Sequence, residues 1–243
     1  MLRIAAVGDV HLSERGAGRY RPQLAALPEQ ADVLLLAGDL TRHGSAAEAR
    51  VVAGEFARVG VPVIAVLGNH DHHGEVPGEI KDILAAQGIR VLDGDAEVLT
   101  VAGMRVGVAG VKGFGGGFPG ASATAYGEPQ MKAFVAHTED EASRLRAALI
   151  GLDTEVRIAL THFAPVPETL AGEPVALYPF LGSHQLAGAI DSGGVDLAVH
   201  GHAHYGSEHG TTPGGVPVRN VAQPVIDAPF RVIEVAPTRS TVD

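Results

Sequence analysis

Five short segments of this chain bring carboxylate, amide or imidazole groups to the end of an apolar run. They are Gly8-Asp9-Val10-His11, Gly38-Asp39, Gly68-Asn69-His70-Asp71, Thr161-His162 and His200-Gly201-His202-Ala203-His204. In extended chain, residues i and i+2 point to the same side, so Asp9 with His11, and His202 with His204, can each grip one ion. Asp9, His11, Asp39, Asn69, His162, His202 and His204 together offer seven oxygen or imidazole donors. One tetrahedral site does not use so many, whereas two cations sharing a bridging carboxylate do. Two cations about 3.5–4 Å apart can clamp the attacking and leaving oxygens of a phosphoryl transfer. Singly, each segment has a plainer explanation: a Gly-Asp turn, a polar loop, a buried and hydrogen-bonded histidine. Their recurrence at successive strand ends is what points to metal chemistry.

Composition narrows the choice. The chain has 243 residues with 12 His and no Cys. Without cysteine there are no disulfides, thiol nucleophiles, cysteine zinc fingers or iron–sulfur clusters. Oxygen and imidazole donors remain, and they suit Mn, Fe, Zn or Co. Hydrophobic residues at 46 % and charged residues at 19 % exclude a disordered chain. The length fits a single domain spanning residues 1–243. A net charge of -10 argues against a long nucleic-acid partner, which needs a basic face. No apolar stretch approaches the roughly 20 residues that span a bilayer, and the N-terminus lacks a signal-peptide core. The expectation is a soluble, cytoplasmic protein without a membrane partner; its oligomeric state is left open.

The elements that must position the five segments can be read from patterning. Apolar runs at Leu2 to Val7, Val33 to Ala37, Val63 to Leu67, Val98 to Val101 and Arg105 to Val111 read as strands. So do Val156 to Leu160, Val195 to Val199, Val216 to Val221 and Arg231 to Val235. The run at 33–37 is continuous rather than alternating, as in a strand covered on both faces. Ser45 with Glu48, and Thr138 with Glu141, have capping-box spacing ahead of helical apolar sets. A third helix is predicted from about Pro77 to Gln87, stopped by Gly88, and a fourth after Ser183. Alternating strands and helices predict an α/β fold, where ligands gather beyond the carboxyl ends of strands. Residues 113–127, GFGGGFPGASATAYG, fit no regular element. Their composition favours a mobile surface loop; the alternative is a loop overhanging a cleft through Phe114, Phe118 or Tyr126.

The series Asp9-x-His11, Gly38-Asp39, Gly68-Asn69-His70-Asp71, His162 and Gly201-His202-x-His204 resembles the signature of the calcineurin-like metallophosphoesterase superfamily. The resemblance runs from residue 8 to 204, and no motif position departs from the pattern. It implies a four-layer α-β-β-α sandwich of two mixed sheets flanked by helices, with a dinuclear metal centre at the strand ends. By the same resemblance, Asp9, His11, Asp39 and His204 hold one divalent or trivalent ion. Asp39 bridges to a second ion, completed by Asn69, His162 and His202. His70 is then the non-ligand histidine beside the phosphoryl group, oriented and charged by Asp71.

The implied activity is metal-dependent phosphoester hydrolysis, with a water between the ions attacking phosphorus in line and His70 assisting the leaving group. Similarity to compact bacterial members favours a small phosphodiester, such as a cyclic nucleotide. A phosphomonoesterase or a nuclease would use the same residues. A non-catalytic, metal-stabilised interaction scaffold would be expected to lose a ligand or His70. A metal-dependent amidohydrolase would open with a His-x-His pair. His200, two residues before His202, is expected to support a ligand rather than to be one. Arg42 and His72 are candidates for touching a substrate, although a solvated position is the plainer reading of each.

Overall fold

The computed structural model describes residues 1–236. Its strands are β1 (Leu2–Val7), β2 (Val33–Ala37), β3 (Val63–Val66), β4 (Ile89–Leu92), β5 (Asp95–Val101), β6 (Met104–Gly110), β7 (Gly117–Phe118), β8 (Ala121–Ser122), β9 (Val156–Leu160), β10 (Leu197–His200), β11 (His209–Thr211), β12 (Pro217–Asn220) and β13 (Arg231–Val235). One sheet has the order β13-β1-β2-β3-β4, parallel from β1 to β4 with β13 antiparallel at its edge. The second has the order β11-β12-β10-β9-β6-β5, parallel through its four central strands with an antiparallel strand at each edge. β7 and β8 form a separate small hairpin.

Side-chain size sorts the two faces of the second sheet. Val106, Val108, Val156, Ile158, Leu160, Leu197 and Val199 join the large core that includes Leu2, Ile4 and the Leu34-Leu35-Leu36 run of the first sheet. The alternate residues Ala109, Ala159 and Ala198 point the other way, into a second core with Leu145, Leu149, Leu186 and Ile190. Those four come from the helices Pro129–Ile150 and His184–Ser192. Large residues thus fill the space between the sheets, while small ones let the helices lie close. Helices Ala46–Phe56 and Pro77–Ala86 flank the first sheet, contributing Val52, Phe56, Ile80 and Leu84. Each fully buried Leu or Phe of this kind contributes about 1.5–3 kcal/mol of transfer free energy. The result is the four-layer α-β-β-α sandwich of two mixed sheets.

Two helix signals behave as expected. The Ser45 hydroxyl accepts from the Glu48 amide at 3.2 Å, and Gly88 follows the Pro77 helix at φ +85°. The Thr138–Glu141 pair does not cap. Its helix starts nine residues earlier, at Pro129, and Thr138 lies inside it. The Thr138 hydroxyl donates instead to the Gly115 carbonyl at 2.6 Å, and the Glu141 carboxylate accepts from the Gly113 amide at 2.7 Å. The pair pins the start of the glycine-rich stretch, which is no free loop: Gly113 and Gly115 through Phe118 are buried. A Cβ on Gly115 would lie 2.6 Å from the Pro179 carbonyl oxygen, which explains glycine there. β4, absent from the sequence reading, is a four-residue strand whose Arg90 points to solvent.

Candidate metal centre

The sequence-predicted segments converge where strands end. Asp9 and His11 follow β1, Asp39 follows β2, and Asn69 and His70 follow β3 in the first sheet; His162 follows β9 and His202 and His204 follow β10 in the second. The loops after β1 and β2 run side by side, with Asp9 N–H donating to Gly38 O (2.9 Å) and His11 N–H to Asp39 O (3.0 Å). Asp9, His11, Asp39 and His202 all take the left-handed backbone conformation, at φ 57°, 42°, 51° and 70°. Non-glycine residues adopt it at a cost, and such positions cluster where function over-determines the chain. Two glycines make room for the carboxylates: a Cβ on Gly68 would collide with the Asp39 carboxylate, and one on Gly201 with that of Asp9.

Two donor groups result. Ligand atoms from Asp9, His11, Asp39 and His204 lie within 4.8 Å of one another, as do those of Asp39, His162 and His202. Asp39 belongs to both. His11 Nε2 is 3.4 Å from His204 Nε2 and 3.7 Å from Asp39 Oδ2. The His162 Nδ1–H donates to the Ala37 carbonyl at 2.9 Å, so in the neutral ring it is Nε2 that carries the lone pair. That lone pair faces Asp39 Oδ1 at 3.3 Å and Asn69 Oδ1 at 3.0 Å. Lone pair meeting lone pair calls for a cation between them, a proton or a metal ion, so these residues fit metal ions. His202 directs Nε2 toward the Phe180 carbonyl at 3.4 Å, leaving Nδ1 as its donor atom.

Charge points the same way. Burial, with the neighbouring Asp9 charge, pushes the Asp39 carboxyl above the ordinary carboxylate range. Burial also pushes Asp9 up, but the hydrogen bond with His204 and the charges of His162 and His204 hold it below its ordinary value. Burial lowers His11 to about 4 and His202 to about 3, keeping both imidazoles neutral with their lone pairs available to a metal.

His70 stands beside the cluster without belonging to it. Its Nδ1–H donates to the Arg42 carbonyl at 2.8 Å, its Nε2 is 3.9 Å from Asp39 Oδ2, and its side chain is 44 % exposed. Asp71 does not orient that ring, contrary to expectation. Its carboxylate is buried and accepts from the amides of Leu40, Thr41 and Gly68 and from the Thr41 hydroxyl. It ties the loop after β2 to the loop after β3, and the Arg42 backbone does the orienting. His200 is fully buried, with Nδ1 donating to its neighbour's carbonyl at Gly201 and Nε2 bonded to the Thr169 hydroxyl at 2.8 Å. It supports the β10 end and is not among the donors. The Arg42 side chain is exposed.

His72 lines a cavity of about 490 Å³ whose wall also includes Asn69, Phe114, Phe163 and Lys112. Of the three aromatic residues singled out in the glycine-rich stretch, only Phe114 reaches this cavity. Phe118 is buried against Ala164, Leu170 and Tyr178, and Tyr126 is exposed. Lys112 was missed by sequence reasoning, although it lies just beyond the end of β6. The strand-end rule that singled out His162 would have found it.

A family model described as calcineurin-like phosphoesterase matches residues 2–206. No curated protein matches the chain. Among solved structures, the chain is similar to the phosphopantetheinyl hydrolase PptH from Mycobacterium tuberculosis (TM-score 0.71, 15 % identity, 98 % of this chain and 97 % of that one). It is also similar to TT1561 of Thermus thermophilus (TM-score 0.55, 15 % identity, 98 % and 99 %). A third is GAP50, the anchor in the inner membrane complex of Plasmodium (TM-score 0.56, 14 % identity, 92 % and 72 %). At such identities the structural likenesses speak for the fold, and the family model speaks for the chemistry. The chain belongs to the calcineurin-like phosphoesterase family and is a metal-dependent phosphoesterase.

Proposed function

We propose that the chain hydrolyses a small phosphoester, preferentially a phosphodiester, at a centre of two metal ions. Asp9, His11, Asp39 and His204 would hold the first ion, and Asn69, His162 and His202 the second, with Asp39 shared. The observation that carries this reading is the position of the Asp39 carboxylate in both donor groups. When bound, the ions supply positive charge for the phosphoryl oxygens and a water that ionises more easily than bulk water. Any of Mn, Fe, Zn or Co suits the donors.

The chain's own residues supply the rest. The Arg42 carbonyl holds a proton on His70 Nδ1, so a proton on Nε2 makes the ring an imidazolium. In that form Nε2–H can donate to a phosphoryl oxygen or pass its proton to the leaving alkoxide. The ring is 44 % exposed, so a substrate can reach it. The net charge of -10 favours a small ester over a polyanionic polymer.

The test is a panel on metal-reconstituted protein: a phosphomonoester, a linear phosphodiester and a cyclic nucleotide, with wild type and His70→Ala. The diester-type substrates should turn over fastest in wild type. His70→Ala should keep its metal and lose about 10²–10⁴-fold in turnover. Unchanged turnover in the variant would remove His70 from the mechanism, and a preference for the monoester would replace the diester reading.

A further inference from the structure

The cavity beside Asn69 carries more positive charge than its own acids use. Asp93 is engaged by Lys81 Nζ at 2.8 Å and by Arg144 Nη2 at 2.9 Å. Glu141 is engaged by Arg144 Nη1 at 3.0 Å and by the Gly113 amide. Lys112 is left over. Its Nζ donates to the Gly113 carbonyl at 2.8 Å, and among the described residues no carboxylate forms an ion pair with it. An ammonium has three N–H donors, so two remain for the cavity. The ammonium sits over two aromatic rings, 4.9 Å from the Phe114 centroid and 5.0 Å from that of Phe163. Phe163 in turn packs on His202, with ring centroids 4.3 Å apart. A surplus cation thus lies in a wall that continues into the metal centre, on a chain whose net charge is -10.

Resting on the phosphoesterase reading above, we propose that this cavity is the leaving-group subsite and that Lys112 selects esters whose leaving alcohol carries a second phosphate-like anionic group. Phe114 and Phe163 supply an apolar wall for the part of the alcohol between the two anions. Partial burial strengthens the attraction between the ammonium and an incoming anion, because less water screens it. Lys81 and Arg144 pair with Asp93 and Glu141, which would otherwise repel the anion. Lys112 is a specificity residue and takes no part in bond breaking.

The experiment compares a matched pair of aryl phosphoesters, the leaving phenol being unsubstituted or bearing a para-phosphonate. Binding of the free leaving group, 4-hydroxyphenylphosphonate, is measured by calorimetry alongside. Wild type, Lys112→Gln and Lys112→Arg are used in each case. Wild type should favour the phosphonate-bearing ester through KM, and Lys112→Gln should lose that preference, its KM rising more for the phosphonate-bearing ester than for the ester of unsubstituted phenol. 4-Hydroxyphenylphosphonate should bind about 10-fold more weakly to Lys112→Gln, and Lys112→Arg should restore much of the difference. Equal binding by wild type and Lys112→Gln, or equal loss on both esters, would overturn the proposal. Hydrolysis without discrimination would sink the subsite and leave the phosphoesterase reading standing. Lys112-dependent binding with no hydrolysis of either ester would do the reverse.

Discussion

His70 and Asp71 are neighbours in sequence and opposites in environment. The His70 ring has one hydrogen bond, to a backbone carbonyl, and an open face. Asp71 is shut away and accepts four hydrogen bonds from three backbone amides and a hydroxyl. Replacing Asp71 by Asn puts an N–H₂ where several N–H donors already point, and hydrogen bonds to a charged group are worth about 1.5–3 kcal/mol each. Asp71→Asn should therefore cost at least about 2 kcal/mol in denaturant unfolding, whereas His70→Ala should change stability little. An Asp71→Asn protein as stable as wild type would contradict the role assigned to that carboxylate. The chemistry at this scale was legible where it is written in residue type and i, i+2 spacing, as for Asp9 with His11. It was not legible where it depends on which loops become neighbours. Asp71 meets Leu40 and Thr41 only because β2 and β3 pair in parallel, and nothing within residues 68–71 reveals that.

At the scale of elements, the site depends on glycines that let strand-end loops approach the carboxylates. Gly201→Ala would place a methyl group against the Asp9 carboxylate and 2.8 Å from the Ala37 carbonyl oxygen. Gly54, inside the helix Ala46–Phe56, has nothing within 4 Å of the same added atom. Gly201→Ala should lower metal affinity about 10-fold or more in a metal titration while the secondary structure survives. Gly54→Ala should raise stability by about 0.5–1 kcal/mol and leave metal binding alone. Equal effects of the two substitutions would refute the close-approach argument. Continuous apolar runs made most strands readable, and Ser45 made one helix start readable. The Thr138–Glu141 spacing misled because a cap and a mid-helix pair aimed at another segment share one sequence pattern. Pro129, suited to a first helical turn, was the competing signal.

For the molecule as a whole, the donors come from both sheets: Asp9, His11, Asp39 and Asn69 from one, His162, His202 and His204 from the other. The buried core between the sheets aligns their strand ends, and bound ions would tie them together at that edge. No helix among the described residues is long and apolar enough to cross a membrane. Ligands that bind only the folded state stabilise it by mass action, so metal occupancy and unfolding temperature must move together. The most direct measurement strips the protein with chelator and returns metal stepwise, recording bound ions per chain, unfolding temperature and phosphoester hydrolysis on the same samples. Two ions should bind, the unfolding temperature should rise with them, and hydrolysis should appear only as they bind. Asp39→Ala should fail to reach that occupancy. Full hydrolysis by the metal-free protein, or binding without any rise in unfolding temperature or activity, would contradict the two-metal account.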